Sequence, residues 1–142
     1  YITGKLHLVP VYLSAQKVIT AGHVNGNNDF DNLINFIKYA KFHIGSDSGP
    51  MQIASAFNKP EFIISGAALT KYTTPSKKVF SAAKEDLQCL GCKHRMYYET
   101  SNNGITFVPR CTNKKFQYQC MQDLSTEYVL SKFEEFVKIN NL

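Results

Sequence analysis

The chain has 142 residues, 44% of them apolar and 19% charged, which describes one globular domain long enough to bury a core and excludes a disordered chain. No apolar run approaches the roughly 20 residues of a membrane helix. The formal charge of +5 suits an anionic ligand, but the basic residues are scattered rather than set in a stripe with aromatics, so no nucleic-acid partner is expected.

Residues 1–15, YITGKLHLVPVYLSA, lack the basic start, apolar centre and cleavage pattern of a secretory signal. The first residue is Tyr1, which fits a piece of a longer protein. Residues 17–21, KVITA, read as a short strand that ends at Gly22 and the NGNN turn of residues 25–28. From Asp29 the spacing changes. Phe30, Leu33, Ile34, Ile37 and Tyr39 recur at helical intervals, so residues 30–41 form an amphipathic helix with Asp29 or Asp31 at its start.

Residues 42–46, FHIGS, are a short strand stopped by Gly45. Asp47-Ser48-Gly49-Pro50 then turns the chain into a helix of small residues over 51–58. Pro60 cannot continue that helix, and EFIIS at residues 61–65 is a buried-strand pattern closed by Gly66. Strand, helix, strand, helix, strand is the order of a parallel sheet with crossover helices, so the fold class is α/β and Rossmann-like.

Residues 67–78 read as a loop and residues 78–83, KVFSAA, as one more strand. A cysteine-bearing segment follows to Cys120, an insertion of about residues 87–121, with a turn at SNNG over 101–104. The last element, residues 125–139, has Val129, Leu130, Phe133, Phe136 and Val137 at helical spacing. Ser125 is its N-cap, with Glu127 in the first turn.

The Asp-Ser-Gly-Pro turn is the most informative stretch. A strand that feeds through glycine into a helix makes an anion site, because the first helical amides have no internal partners and the helix dipole adds positive potential. Gly49 admits close approach of a ligand to the backbone. Pro50 suits the first helical position, where its missing N–H costs nothing. Ser48 supplies a hydroxyl, and Asp47 can cap amides or accept from a sugar hydroxyl. Ala54, Ser55 and Ala56 would let the helix pack closely on the sheet. The same residues also serve an ordinary strand-to-helix turn, so the local pattern leaves both readings open.

Cys89 and Cys92 form a C-x2-C pair with Gly91 inside it, followed by single cysteines at 111 and 120. Four thiolates are the number and type for a closed tetrahedral site, structural zinc or a rubredoxin-like iron. Two disulfides and four free thiols are the competing readings. Of the four histidines, His43 reads as a packed strand residue, His23 lies at a strand end where α/β sheets bind ligands, and His94 is a further candidate metal ligand.

Residues 42–66, FHIGSDSGPMQIASAFNKPEFIISG, resemble the most recognisable stretch of glycosyltransferase family 9, the lipopolysaccharide heptosyltransferase-like enzymes. The helix from Asp29 and the downstream CLGCKHR, single cysteines and closing helix are similar to further parts of that family, so the resemblance runs over about residues 29–142. It implies a single donor-binding domain over 1–142, the C-terminal Rossmann-like half of a two-domain GT-B enzyme of inverting mechanism. The donor would be an ADP-heptose-like nucleotide-diphospho-sugar. Ser48, Gly49 and Pro50 would meet the diphosphate, Asp47 the ribose or sugar, and Gly66 with the loop to Thr74-Pro75 would border the pocket. The family's histidine is Gln52 here, which donates a hydrogen bond but carries no charge. The acceptor, a glycan or lipid-linked sugar, and the catalytic base belong to the family's N-terminal half, so this chain alone is expected to bind donor without transferring it. The expected setting is cytoplasmic, peripheral at the inner face of the membrane, and a homo-oligomer is allowed. The alternative is a non-catalytic nucleotide-binding or metal-finger assembly module.

Overall fold

A computed structural model describes residues 30–74, 76–92, 98–101, 104–107, 111 and 113–142. The expected strand at residues 17–21, the turn at 25–28, the Asp29 cap, Pro75, His7, His23 and His94 lie outside the described residues.

The first described element is α1 (Phe30–Tyr39), followed by β1 (His43–Gly45), α2 (Gly49–Ala56), β2 (Glu61–Ile64), the single turn α3 (Thr70–Thr73) and β3 (Val79–Ala82). β4 (Tyr98–Ser101) and β5 (Gly104–Phe107) pair antiparallel on either side of the SNNG sequence, with Ser101 opposite Gly104. Two helices close the chain, the four-residue α4 (Gln119–Gln122) and the long α5 (Thr126–Asn140).

β1, β2 and β3 form a three-stranded parallel sheet in that order, with His43 opposite Glu61 and Glu61 opposite Val79. This is the α/β arrangement expected from the order of elements. Strand β2 is central, and Glu61, Phe62 and Ile63 are buried, because helices cover both of its faces. Alternation along β2 divides the work. Glu61 points to α2, where Ser55 meets it, while Phe62 points to α5.

The core occupies both faces of the sheet, with Ile37, Met51, Ala54 and Ile63 buried as well, and its aromatic cluster lies on the α5 side. Phe62, Ala82, Phe133 and Phe136 are that cluster's buried centre, with Phe42, Ile64, Phe80, Val129, Val137 and Leu142 packed around them. The Phe62 and Phe133 rings meet edge to face at a centroid distance of 5.2 Å, an arrangement favoured by their quadrupoles. Each buried phenylalanine contributes about 1.5–3 kcal/mol by leaving water. Helix α5 is set at both ends. Ser125 Oγ accepts from the Tyr128 amide, as its N-cap position requires, and Asn141 takes the left-handed conformation at φ 52° that ends the helix. Tyr128 also donates its hydroxyl to the Ala83 carbonyl at 2.8 Å, tying α5 to the end of β3.

Several local expectations need correction. In α1 only Ile37 is buried, and Phe30 and Tyr39 are 64% and 77% exposed. In α2, Ala54 and Ser55 are buried as expected, but Ala56 faces solvent. Residues 67–78 are not all loop, since Thr70–Thr73 forms one helical turn.

Candidate functional site

The Asp-Ser-Gly-Pro turn lies at the carboxyl end of β1, where α/β sheets present their ligand sites. Ser48 is the N-cap residue of α2, and Pro50 occupies the first turn, as its ring geometry favours. The Ser48 hydroxyl does not cap the helix. It donates backward to the Ser46 carbonyl at 3.0 Å. Ser48 and Gly49 are exposed, and Asp47 and Pro50 are half-buried.

Gly49 has a telling environment. Its φ lies outside the left-handed region, and a Cβ placed on it would meet nothing within 4 Å. Among the described residues, neither backbone strain nor packing therefore demands glycine there. What remains is room for another molecule to approach the backbone at the start of the helix.

Gln52 is exposed, and its side-chain amide donates to the Thr73 carbonyl. One turn further along α2, Ser55 donates to Glu61 Oε1 at 2.6 Å and also bonds the Thr74 hydroxyl. The Ser76 amide donates to that Thr74 hydroxyl at 3.2 Å, which anchors the connection entering β3. This line of polar contacts clips the β2–β3 connection along α2. It went unread in the sequence, although a glutamate just after Pro60 at the head of an apolar strand was the available signal.

Glu61 is fully buried, its Oε2 has no partner among the described residues, and burial pushes its carboxyl above the ordinary value, with the Ser55 hydrogen bond pulling the other way. His43, opposite Glu61 in the sheet register, also has a buried Nε2 with no partner among the described residues, and burial holds its imidazole below the usual histidine range. A Cβ on Gly45 would lie 2.7 Å from that nitrogen, so Gly45 is small to accommodate the ring. His43 is a packed strand residue, as its position suggested.

Gly66 is buried just beyond the end of β2. A Cβ there would lie 2.9 Å from both Cys120 Sγ and Met121 Sδ, so its smallness serves the packing of α4 against the sheet end. The Gly66 carbonyl accepts from the Gly91 amide at 3.1 Å. Gly91 has φ 77°, a left-handed turn that glycine adopts without strain. Cys89, Cys92, Cys111 and Cys120 are all free thiols, and only Cys120 is buried. Its thiol is pushed up first by burial, then by the negative charge of Cys92, Cys89 and Cys111. Among the described residues, no group of three or more His, Cys, Asp or Glu stands ready to hold a metal ion.

Among the described residues no helix is long and apolar enough to cross a membrane. Comparisons with curated proteins and with solved structures give no match. The model of glycosyltransferase family 9 (heptosyltransferase) matches residues 13–102. That span contains β1, the Asp-Ser-Gly-Pro turn, α2, β2 and β3, and Cys89 with Cys92, while Cys111, Cys120 and α5 lie beyond it. The match extends further toward the start than the resemblance read from residue 29. The matched span covers the parallel α/β sheet and well over half of the sequence, so the chain belongs to glycosyltransferase family 9, the heptosyltransferase family, and its function is of glycosyltransferase type.

Proposed function

We propose that this chain is the donor-binding half of an inverting glycosyltransferase of GT-B architecture that uses a nucleotide-diphospho-sugar. The observation that carries the reading is Gly49, a glycine that neither its φ nor packing among the described residues requires, exposed at the first turn of α2. A diphosphate at this turn would meet the helix N-terminus and the Ser48 hydroxyl, whose bond to Ser46 is exposed and can be exchanged for one to phosphate. As the glycosidic bond to the donor breaks, charge accumulates on the departing diphosphate. Preorganised donors at that point lower the barrier, typically by about 2.7–4 kcal/mol for each well-placed group. Asp47 is placed at the same turn to accept from a ribose or sugar hydroxyl. Gln52, committed to Thr73, holds the β2–β3 connection beside the turn and would offer the amide proton not used in that bond to a phosphate oxygen.

In this reading the sugar is ADP-heptose-like, and the acceptor is a glycan or lipid-linked sugar of cell-surface or lipopolysaccharide synthesis. A second domain presents that acceptor and supplies the base that deprotonates it. The site of action is the cytoplasmic face of the membrane, with peripheral attachment. Calorimetric titration of the purified chain with ADP, UDP and GDP tests the donor assignment. Saturable binding of one nucleotide, lost in the double variant Ser48→Ala with Gly49→Val, supports it. Absence of binding by folded protein at millimolar nucleotide overturns it.

A further inference from the structure

The four cysteines take no part in the donor turn, and the three stretches of chain that carry them adjoin at the end of β2, with no three of the sulfurs yet at metal-holding separation. The first stretch is the 89–92 turn. Its Leu90 amide donates to the Leu87 carbonyl at 3.0 Å, and its Gly91 amide reaches the Gly66 carbonyl at 3.1 Å. The third stretch is α4, whose Cys120 Sγ lies 2.9 Å from where a Cβ on the same Gly66 would stand. Both therefore rest on one residue at the end of β2. The second stretch is bound to the third. Cys111 Sγ accepts the Tyr118 amide at 3.3 Å, and Tyr118, in the left-handed conformation at φ 61°, opens the turn that carries Cys120. Asn113 adds two bonds to the same turn, accepting from the Phe116 amide at 2.9 Å and donating to Gln119 at 3.1 Å.

Ordinary packing does not account for this arrangement. Three of the four thiols are only half-buried, and α4 buries no residue but Cys120. None of the four belongs to the phenylalanine core. Two tight turns with so little apolar burial need another source of order. An amide donated to sulfur and a glycine in the left-handed region inside C-x2-C are what thiolate ligands on tight turns require. Four thiolates select a thiophilic ion with tetrahedral preference over hard cations such as magnesium.

We propose that Cys89, Cys92, Cys111 and Cys120 are the ligands of a structural metal site for a zinc-class divalent ion, seated against Gly66 at the carboxyl end of the parallel sheet. Metal binding draws the two turns together from the more open placement of the thiols seen here. The site is independent of the donor reading, since none of its ligands lies in the 47–52 turn.

The test uses the full chain, purified under reducing conditions and stripped with chelator. Zinc is titrated while thiol alkylation is followed by mass spectrometry and unfolding by heat, and cobalt(II) serves as the spectroscopic probe. Expected are one ion bound per chain, protection of all four cysteines together, a raised Tm, and a cobalt spectrum with thiolate charge-transfer bands and tetrahedral intensity. Cys89→Ser and Cys111→Ser, both half-buried positions, should each weaken zinc binding at least about tenfold while α5 and the sheet stay folded by circular dichroism. Equal alkylation of all four thiols with and without zinc overturns the proposal. So does isolation of the chain with two disulfides that reform after reduction in the presence of zinc. The wild-type titration decides the matter even where a serine variant fails to fold.

Discussion

Gln52 on α2 donates its side-chain amide to the backbone carbonyl of Thr73, fastening the β2–β3 connection to the helix that begins at the candidate donor turn. Gln52 therefore has a structural partner within the chain. Gln52→Ala removes an exposed bond, so it should lower unfolding free energy by about 0.5–1.5 kcal/mol. Urea denaturation reads this directly. An unchanged midpoint would show that the connection is held by Ser55 and Thr74 alone.

Gly49 separates stability from binding. Replacing it with alanine adds a Cβ into open space, without strain in φ, at the start of a helix. Stability should stay level or rise by up to about 1 kcal/mol, the helix-propensity gain of alanine over glycine. Nucleotide affinity should fall at least about tenfold, equal to about 1.4 kcal/mol. A variant that binds nucleotide as well as the parent chain would remove Gly49 from the donor site.

Gly66 should behave in the opposite way. Its Cβ would be forced to 2.9 Å from two sulfur atoms, and Cys120 is buried with little room to retreat. Gly66→Ala should therefore destabilise the fold by about 1–3 kcal/mol, the usual range for overpacking. Thermal unfolding checks it, and Gly66→Ala combined with Met121→Ala should recover part of the loss.

Glu61 gives the fold a pH signature. Its carboxyl titrates above the ordinary 4.5 in the folded chain because burial disfavours the charge. As pH rises from that ordinary value through the raised one, the unfolded chain releases its proton first, so stability falls across this window and is level above it. Glu61→Gln keeps an acceptor for Ser55 and removes the titration. The stability difference between variant and parent should then grow in the variant's favour as pH rises through the window. A difference that is flat with pH would place the native carboxyl at its ordinary value.

The large elements were legible because their signals are local. Periodic apolar residues marked α1 and α5, Ser125 marked the cap, and Pro60 separated α2 from β2. The candidate turn was legible for the same reason, since Asp47, Ser48, Gly49 and Pro50 are contiguous. What could not be read depends on partners distant in sequence. Glu61 is buried against Ser55 and two helices away from water, contrary to the usual preference of a carboxylate. Gly66 closes a strand in the sequence, but the reason it must be small is Cys120, supplied by another segment. The α3 turn has four residues and no period to detect.

The central claim, that a nucleotide diphosphate sits on the first turn of α2, is tested most directly by amide NMR of the labelled chain during titration with the nucleotide that binds. The account predicts that the largest shifts fall on the amides of Ser48, Gly49, Met51 and Gln52, with smaller ones at the Thr73–Thr74 connection and little change in α5. Binding that instead moves amides of β3 and α5 and leaves Gly49 unshifted would contradict it.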